Sequence, residues 1–274
     1  MSSKLTWAGA AAVLAASVMS FVPSAQANTF TLINNYTGGI DTYNNGAVIG
    51  PADVFGISKA VVSRPNPDKL EVVIYTAYAG QAGIDGTGYG ALFLSPGNWT
   101  ANPAPSCVGC LPYSSDVYVP GEWQYAFTMP ETPSSNTGSG KLYNTNTGNV
   151  ITSFVGPYTE TYPIDPTSPW YFRQGEAVQF APANALARSV GSGIWDVNST
   201  AGTITFLIDD GGTLGNYFAL AWAMTCANGV IQGQVNMTPV PAALPLFASG
   251  VGFLGFFGLR RRKRTMAQPI LRRC

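Results

Sequence analysis

The chain has 274 residues, 14 Lys+Arg, 14 Asp+Glu and no His, for a formal net charge of zero. Every carboxylate lies between Asp41 and Asp210 and seven basic residues lie at or after Arg260, so the middle of the chain is about eight charges negative. That balance argues against nucleic acid as a partner, because a phosphate-binding surface needs clustered Lys and Arg. The lack of His removes Ser-His-Asp and Cys-His catalysis.

Met1 to Ala27 predicts a secretory signal helix. Lys4 gives the charged start, Trp7 to Val22 the apolar run, Pro23 the break, and Ala25 and Ala27 the small-x-small cleavage site. The alternative is an uncut membrane anchor; the short run and the Pro favour cleavage, which would leave Asn28 at the mature N-terminus. Residues 28–237 then form an exported domain. The whole chain has 31 Gly, 20 Pro and only 10% charged residues; such a chain is poor in helix formers and rich in turns, which predicts an all-β ectodomain of β-sandwich or jelly-roll type.

Asn28 to Ile33 alternates and predicts a first strand, followed by a turn from Asn34 to Gly39. Asp53 to Val62 predicts one strand with an irregularity at Gly56. Pro65-Asn66-Pro67-Asp68 is a turn, and Leu70 to Ala77, rich in β-branched and aromatic residues, is the clearest strand. Tyr89 to Leu94 predicts a second core strand after a Gly-rich loop. Asp116 to Val119 and Trp123 to Met129 predict a hairpin joined at Pro120-Gly121. Thr132 to Gly140 predicts an exposed loop before short strands at Lys141 to Tyr143 and Val150 to Val155. Strands are expected at Trp170 to Arg173 and Ala177 to Phe180, and a helical turn from Ala181 to Arg188. Gly193 to Val197, Thr203 to Ile208, Tyr217 to Thr225 and Val230 to Val235 complete the strands, with Asp209-Asp210-Gly211-Gly212 as a turn.

The chain closes with Thr238, Pro239, Val240, Pro241 and Ala242, then an uncharged apolar run from Ala242 to Leu259, then Arg260, Arg261, Arg262, Lys263 and Arg264. As a helix the apolar run is roughly 27 Å long, just enough for a bilayer core of about 30 Å. The basic cluster would hold the cytoplasmic face, and residues 265–274 form a short cytoplasmic tail. The Pro pair keeps the approach extended and free of ladder bonds, so a protease could reach it.

This three-part tail, 238–264, resembles the PEP-CTERM sorting signals of bacteria, in the variant whose motif reads Val-Pro-Leu-Pro-Ala. It departs from that pattern at Thr238 and Val240. The resemblance implies processing by an exosortase, a membrane-embedded cysteine protease-transpeptidase of Gram-negative bacteria. It further implies a transient stay in the inner membrane and delivery to the cell surface or extracellular matrix. The middle domain is similar to exosortase-dependent surface proteins at Asp53–Ile57, Tyr89–Leu94, Trp123–Phe127 and Ala221–Asn228. That family brings no established chemistry, cofactor or metal.

Four sets of side chains are candidates for chemistry. Cys107 and Cys110 sit among Pro and Gly with no helix signal, which favours a small-loop disulfide over a redox pair or, with no His in the chain, a zinc site. Cys226 is expected to be a buried thiol. Glu122, Glu131, Asp209 and Asp210 are the carboxylates from which a hydrolase or lyase would draw its pair, and Asp209-Asp210-Gly211-Gly212 carries oxygen ligands for Ca²⁺ without EF-hand spacing. Solvated turn acids are the plainer expectation for all four. Trp99, Trp123, Trp170 and Tyr171 are candidates for a sugar-binding aromatic platform, with core packing as the plainer expectation. The resulting expectation is a non-enzymatic surface or matrix protein, then a carbohydrate-binding module for exopolysaccharide, then a carboxylate-based polysaccharide hydrolase or lyase.

Overall fold

The computed structural model describes residues 29–36, 48, 50–100, 118–153, 175–183 and 188–237. The signal segment, Cys107, Cys110, Trp170, Tyr171, the sorting motif and the basic cluster lie outside the described residues.

Among the described residues the protein is nearly all β. Its strands are β1 (Thr29–Ile33), β2 (Ile57–Asn66), β3 (Lys69–Thr76), β4 (Leu92–Pro96), β5 (Tyr125–Thr128), β6 (Thr137–Asn144), β7 (Gly148–Thr152), β8 (Ala177–Pro182), β9 (Gly191–Asn198), β10 (Thr203–Asp209), β11 (Tyr217–Ala223) and β12 (Val230–Asn236). Ten of them make one antiparallel sheet in the order β1-β2-β3-β10-β9-β6-β5-β4-β11-β12, and β7 and β8 form a separate hairpin.

Burial follows the residue pattern. In β3 and β10 alternate residues are fully buried, and Leu70, Val72, Ile74, Ile204, Phe206 and Ile208 face one core. Strands β4 and β11 read as continuous apolar runs because both their faces are covered. Their inward residues, such as Leu94 and Leu220, join the same core; their outward residues Phe93, Ala219 and Ala221 meet Phe180 of β8 in a second cluster. The small alanines on that outward face let the β7–β8 hairpin lie close. At Gly90 a Cβ would overlap Ala223 O and crowd Val178 O, and the Ala91 N–H donates to Val178 O at 2.8 Å.

A twisted sheet of ten strands curls, and here the curl brings its first and last strands together. The Asn34 side-chain amide, just past β1, donates to Ile57 O of β2 and to Val230 O of β12, both at 2.9 Å. Leu32 packs over Gly233, and Val48 bridges Gly229. The edges of the sheet therefore cover each other rather than standing open to other chains.

Five expectations change. Ala52–Phe55 is a single helical turn, α1, closed by Phe55 N–H to Pro51 O and Gly56 N–H to Ala52 O, and it buries Phe55; only Ile57 onward is strand. Strand β2 continues through Pro65, beyond the last residue paired with β1, where the missing N–H costs no ladder bond. The last four residues of the supposed loop Thr132 to Gly140 belong to β6, which starts at Thr137. Its glycines suit a strand because the Trp195 ring fills the Cβ space of Gly138 and the Phe127 ring that of Gly140. The expected hairpin at Pro120-Gly121 closes only as a turn, with Glu122 N–H to Val119 O, while Tyr118 bonds Gly175 and β5 pairs with β4 and β6. Ala181 and Pro182, expected to start a helical turn, end β8.

Candidate functional site

The strand β4 ends at Pro96, and Gly97 turns the chain at φ 88 toward Trp99. The turn at Pro120-Gly121, with Gly121 at φ 91, brings Glu122 to the same place. The Trp99 indole stacks on Trp123 with ring centroids 5.6 Å apart and planes 26° apart. Its Nε1–H donates to Glu122 Oε1 at 2.9 Å, while Glu122 Oε2 accepts from the Val119 N–H at 3.3 Å. Across the sheet edge, Gln234 of β12 accepts from the Trp99 backbone N–H at 2.9 Å through Oε1 and donates through Nε2 to Gly97 O at 3.0 Å. The ring is thus held at one face and at its nitrogen, and its backbone by Gln234, yet the residue stays part-exposed. Tyr118 packs against the same cluster. Burial pushes its phenol above the usual value, with a smaller push from the Glu122 charge and an opposing pull from the Gly121 backbone.

Of the four candidate platform rings, Trp99 and Trp123 are brought together, and Trp170 and Tyr171 lie outside the described residues. Trp123 is only 2% exposed. It is core, the plainer of the two expectations, and not the surface platform: Trp123 is the floor on which Trp99 lies.

The candidate carboxylates do not gather. Glu122 stands just before β5 and Glu131 just after it, at opposite ends. Asp209 is exposed at the end of β10. Asp210 is 1% exposed and bound to Arg64 by two parallel hydrogen bonds, Nη1 to Oδ1 at 3.1 Å and Nη2 to Oδ2 at 2.9 Å. It also accepts from the Gly212 and Leu214 N–H groups, while Arg64 donates to Pro67 O and Gly215 O. Asp210 is therefore not the solvated turn acid expected. It clamps the β2–β3 hairpin to the β10–β11 loop, and its oxygens are taken. Among the described residues no three His, Cys, Asp or Glu side chains converge as a metal site would require. Cys226 is buried, as expected, in the turn just past β11.

Sequence reasoning missed two buried polar groups. Tyr36 Oη donates to Glu176 Oε1, both residues being buried. Asn228 is 1% exposed, and no hydrogen bond reaches its Oδ1 from the described residues. No local pattern marks either, because each depends on packing between distant segments.

Compared with models of known protein families, with curated proteins and with solved structures, the chain matches none.

Proposed function

We propose that this chain is a secreted, exosortase-sorted surface or extracellular-matrix protein of a Gram-negative bacterium, with a non-enzymatic structural or interaction role. The folded cargo is one large curled antiparallel sheet with a two-stranded sheet packed on its outward face, a β-sandwich or jelly-roll-like ectodomain. The observation that carries the proposal is the order of parts in 238–264: Pro motif, uncharged span, basic cluster. Its setting supports it. The last described residue, Met237, is buried and donates its N–H to Asn216 O, so the fold runs up to the motif. The non-enzymatic role is supported by Glu122, whose two oxygens hold Trp99 and the Val119 backbone.

The test is the intact mass of the cell-surface form. It should lack both Met1–Ala27 and the basic tail; a tail still attached means a plain membrane anchor. Replacing Pro239 and Pro241 by Ala should leave the precursor in the membrane, and normal release would refute recognition of the motif. Release of reducing ends from matrix polysaccharide, lost in Glu122→Gln, would replace this proposal with the hydrolase or lyase.

The second reading, a carbohydrate-binding module for exopolysaccharide, is favoured by one observation: Trp99 is a tryptophan held rigid at the surface. Aromatic rings pack on the apolar faces of sugars at little entropic cost when already fixed.

A further inference from the structure

Strand β12 is the last strand of the sheet, and its residues alternate. Ile231 and Val235 enter the main core, so Gln232, Gln234 and Asn236 point to the opposite face. On β11, Phe218 enters the core, which turns Tyr217 and Ala219 to that same opposite face. The register sets Tyr217 beside Asn236 and Ala219 beside Gln234. The Gln234 side chain reaches the Trp99 backbone, and the Gly97 N–H donates to Tyr217 O at 3.2 Å. Trp99, Tyr217 and Asn236 therefore belong to one surface. Tyr217 is 42% exposed, although a tyrosine is easily buried, and Asn236 is exposed.

The charge of this surface is one-sided. There is no Lys or Arg from residue 70 to 140 or from 189 to 259, and Glu122 lies against Trp99. A uronate or phosphate on a ligand would find no cation in the segments that carry these three side chains, and would meet the Glu122 carboxylate beside Trp99. A neutral ligand meets an aromatic face held flat, a phenol, and an amide able both to donate and to accept from hydroxyls.

We propose that Trp99, Tyr217 and Asn236 bind an uncharged saccharide chain, laid along the outward face of β12. This rests on the carbohydrate-binding reading and deepens it; it is independent of the sorting reading, so a protein can be correctly processed and still fail here.

The experiment uses the full-length chain in a detergent without a sugar headgroup. Binding isotherms are taken against the neutral and the acidic fractions of the producing cell's extracellular polysaccharide, separated by anion exchange. The neutral fraction should bind, and raised salt should leave its affinity unchanged, since screening acts only on charge. Trp99→Ala should lose at least about tenfold in affinity, Trp99→Phe less, and Tyr217→Ala and Asn236→Ala should each lose several-fold. Tyr217 and Asn236 are exposed, so their variants keep the test open should Trp99→Ala unfold the corner. Ile194→Ser, at an exposed position on β9, should change nothing. Preference for the acidic fraction, no binding to either fraction, or neutral binding indifferent to Tyr217→Ala and Asn236→Ala would each overturn the proposal.

Discussion

At the scale of single residues, the Arg64–Asp210 pair shows what burial does to charge. Two ions out of water are tolerable only because each is saturated with hydrogen bonds. Asp210→Ala leaves the Arg64 guanidinium buried without its partner and should destabilise the fold by about 3–5 kcal/mol in urea unfolding. The double replacement Arg64→Met with Asp210→Leu should cost clearly less than that single change, since it removes the stranded charge; an equal or larger loss would show that the charges themselves stabilise the fold. Tyr89 gives a pH signature. Burial pushes its phenol above its ordinary value of 10.0, partly countered by hydrogen bonds from the Gly80 and Ala82 backbone. A raised acid binds its proton more tightly in the folded state, so its contribution is fully present below about pH 10 and is lost as pH climbs through the folded value. Thermal stability should therefore decline above about pH 10, and less steeply in Tyr89→Phe. At Cys107 and Cys110 the sequence alone carries the expectation: thiol labelling without reductant should spare both, and labelling of both would refute the disulfide.

At the scale of elements, glycine decides how closely segments approach. Gly90 lies where β4 meets both β11 and the β7–β8 hairpin, and a Cβ there would run into the carbonyl of Ala223. Backbone cannot step aside as a side chain can, so Gly90→Ala should cost about 3 kcal/mol or more. Gly233 has a different neighbour, the flexible Leu32 Cδ1 at 2.8 Å. Gly233→Ala should therefore cost about 1 kcal/mol, read as a small shift of the melting temperature. Similar costs at the two positions would mean that the hairpin yields more easily than its hydrogen bonds to Ala91 and Tyr89 suggest. The same logic explains why the first half of β6 looked like a loop. Gly138 and Gly140 are weak strand formers by themselves, and only rings from β9 and β5 make those positions right for glycine. Where the partner is local the sequence was easier to read: β3 and β10 alternate, and the Pro67-Asp68 turn between β2 and β3 is closed by Asp68 N–H to Asn66 Oδ1.

For the whole molecule, the decisive feature is that the sheet ends on itself. Asn34 ties the β1–β2 side to β12, so the last strand of the domain is held by residues at its other end. Asn34→Ala removes both bonds and leaves Val230 O short of a donor. Hydrogen exchange at the β12 amides should quicken in that variant while the β3 and β10 amides stay protected.

The amino-acid sequence by itself determined the all-β class, most strand positions and the charge segregation, because these follow from short-range composition and periodicity. It also brought out Trp99, Trp123 and Glu122 as separate candidates. Only the tertiary structure decided that Trp99 lies on a buried Trp123 and is held by Glu122 and Gln234, that Asp210 is an ion-pair clamp, and that β3 pairs with β10 and β4 with β11. Those pairings join residues more than a hundred positions apart. They are chosen by which apolar faces can be buried together, a property of the assembled sheet that no local stretch contains.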